Sequence, residues 1–318
     1  MKPLMLRGIP LGPVVNASGA RNFFCQGWGW RSCLTNWSGS TFVAKTTTLE
    51  PRTGNMPLRQ DLQPKDFLPK CIVFKWLAGA VLNAVGLSGP GARALLESGQ
   101  WQKRQQPFVI SFAAVKGSME ERLGETAQFV ALLKRFLPGF QAPIALEINF
   151  SCPNLGLHGD SSNQSPLVTE ILTSLEIASL LGIALIVKIN ALITPQNANA
   201  IAQSPYCDAL TVSNTIPWGQ LTDDIPWVEL FGSSVSPLQK YGGGGLSGKP
   251  ILPVVRRWLK NFRKINWQAP IIAGGGIFSS QDALGLKTFG ANAFALGVVG
   301  TLRPWRMQKI IRAINAWD

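Results

Sequence analysis

The sequence has few acidic residues and a single histidine. Asp and Glu number 17 among 318 residues, against 30 Lys and Arg, which leaves a formal net charge of +13. A positive field of this size favours anionic partners, namely phosphates, small carboxylates, acidic lipids or nucleic acid, and does not choose among them. Because His158 is the only histidine, most histidine-based catalytic and metal sites are excluded.

Paired cysteines and long hydrophobic runs are also missing. The five cysteines include no CxxC motif, so neither a disulfide framework nor a zinc site is predicted. The most apolar stretch, residues 179–189, is about half the length that a membrane-spanning helix needs. Arg7 and three prolines interrupt the first fifteen residues, which argues against a signal peptide. We therefore expect a cytoplasmic protein with no metal site and no integral membrane segment.

Short apolar runs alternate with longer amphipathic stretches along the chain. Strands are predicted near 41–46, 80–85, 108–113, 144–149, 184–189, 208–213, 270–274 and 292–297. Helices are predicted near 119–136, 166–181, 251–264, 280–288 and 304–316. Eight strands alternating with helices, with no linker between them, predict one α/β domain over residues 1–318, a (β/α)8 or TIM barrel.

Five of the predicted strands end on a polar side chain. The apolar runs deliver Lys45, Asn83, Asn149, Lys188 and Asn214 at their carboxyl ends. A barrel carries its chemistry on the loops that follow these ends, whereas strand ends of purely structural importance need only turn residues. The amines and amides therefore predict a donor-rich pocket for an anionic ligand with carbonyl groups.

Glycine is concentrated late in the chain. GGGGLSG occupies 242–248, AGGGI occupies 273–277 and FALG occupies 294–297. Glycines allow backbone N–H groups to approach a phosphate closely, and the loops after the last two strands of a barrel commonly hold one. Their placement after the last two predicted strands favours a phosphate-bearing cofactor over plain tight turns. No GxGxxG motif follows the first strand, which argues against a Rossmann nucleotide site.

Cys152 stands three residues beyond a predicted strand end, in the segment INFSCPNLG at 148–156. Free cysteines are most often small buried apolar residues, but here the neighbours are polar and a loop-like run follows. Without a histidine elsewhere to activate the thiol as a nucleophile, proton transfer beside a cofactor is the chemistry that suits Cys152 better.

A series of motifs in a fixed order carries a resemblance to a known family. They are NASG at 16–19, KTTTLEPRTGN at 45–55, LNAVGL at 82–87, EINFSCPN at 147–154, VKI at 187–189, SNT at 213–215, GGLSGKP at 244–250 and GGGI at 274–277. Over nearly the whole chain, they closely resemble the dihydroorotate dehydrogenase family. The resemblance implies an enzyme that oxidises dihydroorotate to orotate on FMN, in de novo pyrimidine biosynthesis, with FMN at the carboxyl-end face of the barrel.

The resemblance also implies roles for single residues. Cys152 matches the base that removes a proton while a hydride passes to the flavin, which is the arrangement of class 1 members. Lys188 matches a lysine near the flavin ring, where a positive charge stabilises the reduced, anionic flavin. Substrate contacts are implied for Lys45, Asn83, Gly86, Leu87, Asn149, Asn154, Asn214 and Thr215. Cofactor contacts are implied for Ala17, Ser18, Gly19, Lys45, Thr46, Asn149, Lys188, Gly248, Gly275, Gly276, Gly297 and Val298.

Two segments depart from the family pattern. The loop after the eighth predicted strand commonly reads GTA, and here it reads GVVGT, so Val298 replaces a hydroxyl donor. The stretch 25–37 holds three of the eleven tryptophans where an ordinary first helix is expected. A core or dimer surface would explain those aromatic residues, and so would an exposed patch for a partner or a membrane surface.

Partners and alternative functions follow from the same comparison. The resemblance implies a homodimer and leaves the electron acceptor open among fumarate, quinone, and NAD reached through a separate electron-transfer subunit. Nucleic acid is not expected as a partner, although the net charge keeps a tRNA dihydrouridine synthase-like, RNA-modifying flavoenzyme as an alternative. A dihydropyrimidine dehydrogenase would have histidine where this chain has Asn154. A flavin-binding protein without turnover is the third alternative.

Overall fold

Eight parallel strands form the central sheet of the computed structural model, which describes residues 2–29, 34–150 and 165–317. A parallel bridge from Val15 to Thr41 joins the two ends of the sheet and closes it into a barrel. In the order in which they pair, the strands are β3 (Val14–Asn16), β14 (Ala293–Leu296), β13 (Ile271–Gly274), β10 (Ala209–Val212), β9 (Ala184–Ile189), β8 (Ile144–Asn149), β7 (Phe108–Phe112) and β4 (Phe42–Val43).

Helices cover the outside of the barrel. In the described ranges they are α1 (Ala92–Glu97), α2 (Met119–Phe136), α3 (Ser165–Ser179), α4 (Pro195–Ala202), α5 (Trp227–Phe231), α6 (Leu252–Arg263), α7 (Ser280–Thr288), α8 (Val298–Leu302) and α9 (Met307–Asn315). The five predicted helices correspond to α2, α3, α6, α7 and α9. A reciprocal capping box between Ser118 and Glu121 fixes the start of α2.

One predicted barrel strand is wrong, and one barrel strand was not predicted. The predicted strand 80–85 does form β6 (Ala80–Asn83), but β6 belongs to a separate antiparallel sheet. The missing barrel strand is β3, three residues that directly follow Pro13 and were not predicted as a strand. Because a short apolar run reads the same in either kind of sheet, the pattern could not assign β6 to its sheet.

The separate sheet pairs in the order β11 (Ile216–Pro217), β12 (Gly245–Gly248), β6 and β5 (Ile72–Lys75). The glycine run 242–248 therefore lies between the sixth and seventh barrel strands. The prediction that it follows one of the last two strands is wrong. Residues alternate across β6. Ala80 and Leu82 pack into a local hydrophobic cluster, whereas Val81 and Asn83 line the cavity described below.

A short hairpin lies at the amino-terminal part of the described chain. Strands β1 (Met5–Leu6) and β2 (Ile9–Pro10) pair with each other, and the leucine and isoleucine side chains of this segment are buried. They form one cluster with inward-facing barrel residues such as Val43, Val109 and Ile186. The hairpin therefore fills one end of the barrel with apolar side chains. None of the described helices combines the length and the hydropathy required to cross a membrane.

Candidate active site

A cavity of about 1530 Å³ opens at the carboxyl ends of the barrel strands. It is bordered by the antiparallel sheet and by the loops that follow β3, β4, β10, β13 and β14. All the described residues for which a ligand contact is predicted line it, namely Ala17, Ser18, Gly19, Lys45, Thr46, Asn83, Gly86, Leu87, Asn149, Lys188, Asn214, Thr215, Gly248, Gly275, Gly276, Gly297 and Val298. The structure therefore brings these side chains and loops together, and their contacts with ligands stay predictions.

Two predicted residues cannot be placed in this cavity. Cys152 and Asn154 lie outside the described residues. The prediction of Cys152 as the base and that of Asn154 as a substrate contact therefore rest on the sequence alone.

The polar lining arises from the two-residue period of the strands. Along β8, Ala145 belongs to the apolar interior of the barrel, and Glu147 and Asn149, two and four residues later, line the cavity. Along β9, Ile186 and then Lys188 show the same change. Because side chains of one strand face point the same way, the barrel interior changes from apolar to polar toward the carboxyl ends.

Two side-chain amides and one hydroxyl form a hydrogen-bonded row across the cavity floor. Asn214 donates from Nδ2 to Oδ1 of Asn149 at 3.0 Å, and Asn149 donates from Nδ2 to Oγ1 of Thr46 at 3.2 Å. The backbone N–H of Thr215 donates to Oδ1 of Asn214 at 2.8 Å. These contacts fix the orientation of both amides, which is what a site for a planar ring with several carbonyl groups requires.

Lys45 and Asn83 come to the cavity from other elements. The Lys45 ammonium donates to the backbone carbonyl of Ser88 and lies 4.7 Å from the centre of the Phe23 ring. Asn83 donates from Nδ2 to the carbonyl of Gly245 on the neighbouring strand β12, at 3.3 Å. Both cavity-lining side chains are thus held by protein contacts before any ligand binds.

A second cluster of polar side chains surrounds Glu147, for which the sequence motifs predicted no role. Its Oε1 accepts a hydrogen bond from the Ser111 hydroxyl at 2.9 Å and lies 3.8 Å from Nζ of Lys188. The Ser111 hydroxyl also lies 2.9 Å from Oγ1 of Thr46. A continuous chain of polar contacts therefore connects Lys188 with the hydrogen-bonded row.

Other polar groups lack partners in the part of the chain that the structure describes. Oγ1 of Thr211 is buried without a hydrogen bond, and Thr211 lies beside Lys188 in the strand register. The backbone N–H groups of Gly275 and Gly276 donate to no described protein atom. Buried polar groups normally find partners, so these three positions fit a ligand that carries hydrogen-bond acceptors.

The charge of the lining is strongly positive. Among the described lining residues the acidic side chains are Asp66 and Glu147. The basic ones are Arg21, Lys45, Arg59, Lys65, Arg104 and Lys188. A cleft lined mainly by one sign of charge concentrates ligands of the opposite sign, so the cavity suits an anion.

Comparison with known proteins gives relatives over most of the chain. Residues 11–317 match the family model named dihydroorotate dehydrogenase. The dihydroorotate dehydrogenase B (NAD(+)) catalytic subunit of Latilactobacillus sakei is 30% identical over 313 residues, which cover 97% of this chain and 90% of the relative. The dihydroorotate dehydrogenase A (fumarate) of Lactobacillus helveticus is 32% identical over 258 residues, which cover 80% of this chain and 73% of the relative.

The fold has counterparts among solved structures. A crystal structure of DHODH from Eimeria tenella in complex with ferulenol superposes with a TM-score of 0.69, at 21% identity. The match covers 98% of this chain and 83% of that chain, and it concerns the fold. The family model over residues 11–317 and the relative at 30% identity establish that this protein belongs to the dihydroorotate dehydrogenase family.

Proposed function

We propose that this protein oxidises dihydroorotate to orotate on FMN, as a step of de novo pyrimidine biosynthesis. Family membership supports the reaction class. The observation that carries the proposal is the convergence of Asn83, Asn149 and Asn214 with Lys188 in one cavity of positive charge. Orotate is a planar carboxylate with ring carbonyls, and amide and ammonium donors are the groups that bind such a molecule.

The residues present fit FMN. The unpartnered N–H groups of Gly275 and Gly276 suit a phosphate, and the unpartnered Thr211 hydroxyl and the buried Lys188 suit the polar edge of a flavin ring. When bound, FMN would accept the hydride that leaves the substrate. Lys188 would stabilise the negative charge that this transfer brings into the cavity.

The protein's own part is to orient the substrate and to take up its proton. Asn149 and Asn214 are already fixed by the hydrogen-bonded row, so the ring carbonyls meet donors of set direction. Cys152 would act as a thiolate and take the proton from the carbon next to the one that loses the hydride. The carbon–carbon double bond of orotate then forms, and electrons and protons balance.

Partners are also part of the proposal. The Latilactobacillus sakei relative is by its name a catalytic subunit, and on that likeness we expect a separate electron-transfer subunit. The Lactobacillus helveticus relative is named for fumarate, so fumarate is the acceptor to test beside NAD. The homodimer and the cytoplasmic location predicted from the sequence stay predictions.

An anaerobic visible spectrum before and after addition of dihydroorotate tests the reaction. We expect the absorption band of oxidised flavin to disappear. Flavin that dihydroorotate does not bleach would contradict the proposed substrate and lead to uracil derivatives, tRNA and the non-catalytic alternative. Failure to retain flavin even with added FMN would contradict the cofactor.

The Cys152→Ala variant tests the base. We expect flavin to bind as before and its reduction by dihydroorotate to slow by about a hundredfold or more, which is the usual contribution of a general base. Cys207→Ala is the matched control, because Cys207 does not line the cavity. Equal reduction rates in the two variants would remove Cys152 from the base position.

A further inference from the structure

The connection between β3 and β4 borders one side of the cavity. In a (β/α)8 barrel a helix normally connects consecutive strands, but the described residues between these two strands form no α-helix. The cavity continues along this side, where it is lined by Trp37, Thr41, Phe42 and Gln106. Thr41 and Phe42 lie at the amino end of β4, so this region is at the opposite end of the strand from Lys45.

Two arginines from distant parts of the chain share one aromatic ring in this region. The guanidinium carbon of Arg21 lies 5.6 Å from the centre of the Phe42 ring and 5.4 Å from that of Trp37. The guanidinium carbon of Arg104 lies 4.4 Å from the centre of Phe42. Stacking on aromatic rings fixes the planes of both guanidinium groups.

Neither guanidinium has an acidic partner among the described residues. Within residues 2–29, 34–150 and 165–317, no ion pair or side-chain hydrogen bond is found for Arg21 or Arg104, and Nε of Arg104 is buried without an acceptor. Burial lowers the pKa of Arg21; nearby Cys25 acts in the opposite direction, and Arg104 lowers the pKa further. Two like charges in a partly buried space, with an unused donor, are costly unless an anion completes them.

We propose that Arg21 and Arg104 form a binding site for a small dianion of the phosphate class, separate from the substrate and flavin region. Two positive charges match the charge of a phosphate or phosphomonoester near neutral pH. The guanidinium fork binds phosphate oxygens in pairs. Among the acidic residues of the described lining, Glu147 is already engaged by Ser111 and Lys188.

The test is titration calorimetry of the protein with inorganic phosphate, at constant ionic strength, with FMN and orotate in excess. Those two ligands prevent phosphate from occupying the rest of the cavity. We expect Arg21→Gln and Arg104→Gln each to weaken phosphate binding about tenfold, the usual effect of losing one charge-assisted hydrogen bond. Lys103→Gln is the matched control, because it removes the same charge from an exposed neighbour that does not line the cavity.

The outcomes separate a built site from a general positive field. Equal weakening by Arg104→Gln and Lys103→Gln would overturn the site, and so would unaltered protein that binds no phosphate at millimolar concentration. If a glutamine variant fails to fold, Arg104→Lys keeps the charge and loses the planar fork, and it should still weaken binding severalfold. Competition by glycerol phosphate would show that esters are accepted, and its absence would restrict the site to the free ion.

Discussion

Glu147 is a buried carboxylate that, through Ser111, connects Lys188 with the hydrogen-bonded row of the cavity floor. It is 3% exposed, and its Oε1 meets both the Ser111 hydroxyl and the Lys188 ammonium. A charge at this depth is tolerated only when it is paired and hydrogen-bonded. We therefore regard Glu147 as a positioning residue, which holds the ammonium of Lys188 where the proposed function places the flavin ring.

The Glu147→Gln variant should lower the free energy of unfolding by roughly 3 kcal/mol, the usual loss when one partner of a buried ion pair is removed. The amide oxygen can still accept from Ser111, so the change isolates the charge. Urea unfolding gives the measurement, and Glu176→Gln on the exposed side of α3 is the control, expected to stay within about 0.5 kcal/mol. A Glu147→Gln midpoint equal to that of the control would show that the pair contributes nothing.

Cys207 is predicted to be unreactive in the folded protein. Burial, with a smaller effect from Asp208, raises the pKa of its thiol to about 12, and burial also raises the pKa of Cys71. At pH 8 the thiolate fraction of Cys207 would be roughly one in ten thousand. Iodoacetamide followed by mass spectrometry should leave both cysteines unmodified until denaturant is added. Modification at the rate of the unfolded chain would refute the burial argument.

The same shift sets a direction for stability against pH. The Cys207 thiol ionises at a higher pH in the folded chain than in the unfolded chain, where the pKa is about 8.5. Its contribution to stability is therefore complete below that unfolded pKa and is lost progressively as the pH rises above it.

The sequence analysis predicted the polar residues at the strand ends and missed the polar residues two positions earlier in the same strands. Lys188 and Asn149 each end an apolar run, which made them visible. Ser111, Glu147 and Thr211 lie inside the strands, where an isolated polar residue is easily taken for an exception. Counting back two residues from Asn149 would have found Glu147, because inward positions alternate.

Among the elements, the strand β12 shows how a glycine can serve the protein and a ligand alike. Gly248 was predicted as a phosphate contact, and it does line the cavity. Its φ is +109°, and a Cβ atom there would lie 2.1 Å from the carbonyl oxygen of Gly79. Close packing of β12 against the end of the β5–β6 hairpin therefore explains this glycine without a ligand.

Gly248→Ala should destabilise the protein by several kcal/mol or prevent folding, because the backbone of Gly79 cannot move away without breaking the pairing of β6 and β12. Gly242→Ala is the matched control. Gly242 also has a positive φ, +83°, but a Cβ atom there meets nothing within 4 Å, so its cost should be limited to about 1–2 kcal/mol of backbone strain. Thermal unfolding compares the two, and equal losses would contradict the steric explanation.

The elements were predictable to different degrees. Helix α2 carries its own start and stop signals in Ser118, Glu121 and the terminal Lys134 and Arg135, so its bounds were predicted correctly. The sheet to which β6 belongs depends on two antiparallel partners, β12 more than 160 residues away in the chain and β5 immediately before it. The hairpin with β5 is a local feature that the sequence analysis missed.

For the molecule as a whole, the scarcity of acidic residues has its clearest effect in the cavity. Six basic side chains and two acidic ones line the described part of it. The net charge of +13 is therefore not only a property of the outer surface. It produces a field inside the cavity that attracts anionic ligands.

The KM for dihydroorotate should rise severalfold as NaCl increases from about 10 mM to about 150 mM, because the Debye length falls from about 30 Å to about 8 Å. The value of kcat should change little, since the bound substrate is screened less. Steady-state kinetics at saturating acceptor provide the measurement. Lys65→Gln, which removes a lining charge, should reduce this salt dependence more than Lys103→Gln. A KM independent of salt would show that the field does not guide the substrate.

The closure of the barrel requires pairing between strands that are far apart in the sequence. Strand β3 pairs with β14, so that Val14 lies beside Phe294. During synthesis on a ribosome, β3 emerges about 280 residues before the strand with which it pairs. Such late, long-range pairing is slow, and an unfinished chain exposes two open sheet edges on which other chains can assemble. We therefore expect a nascent chain that stalls before Phe294 to aggregate unless chaperones bind it.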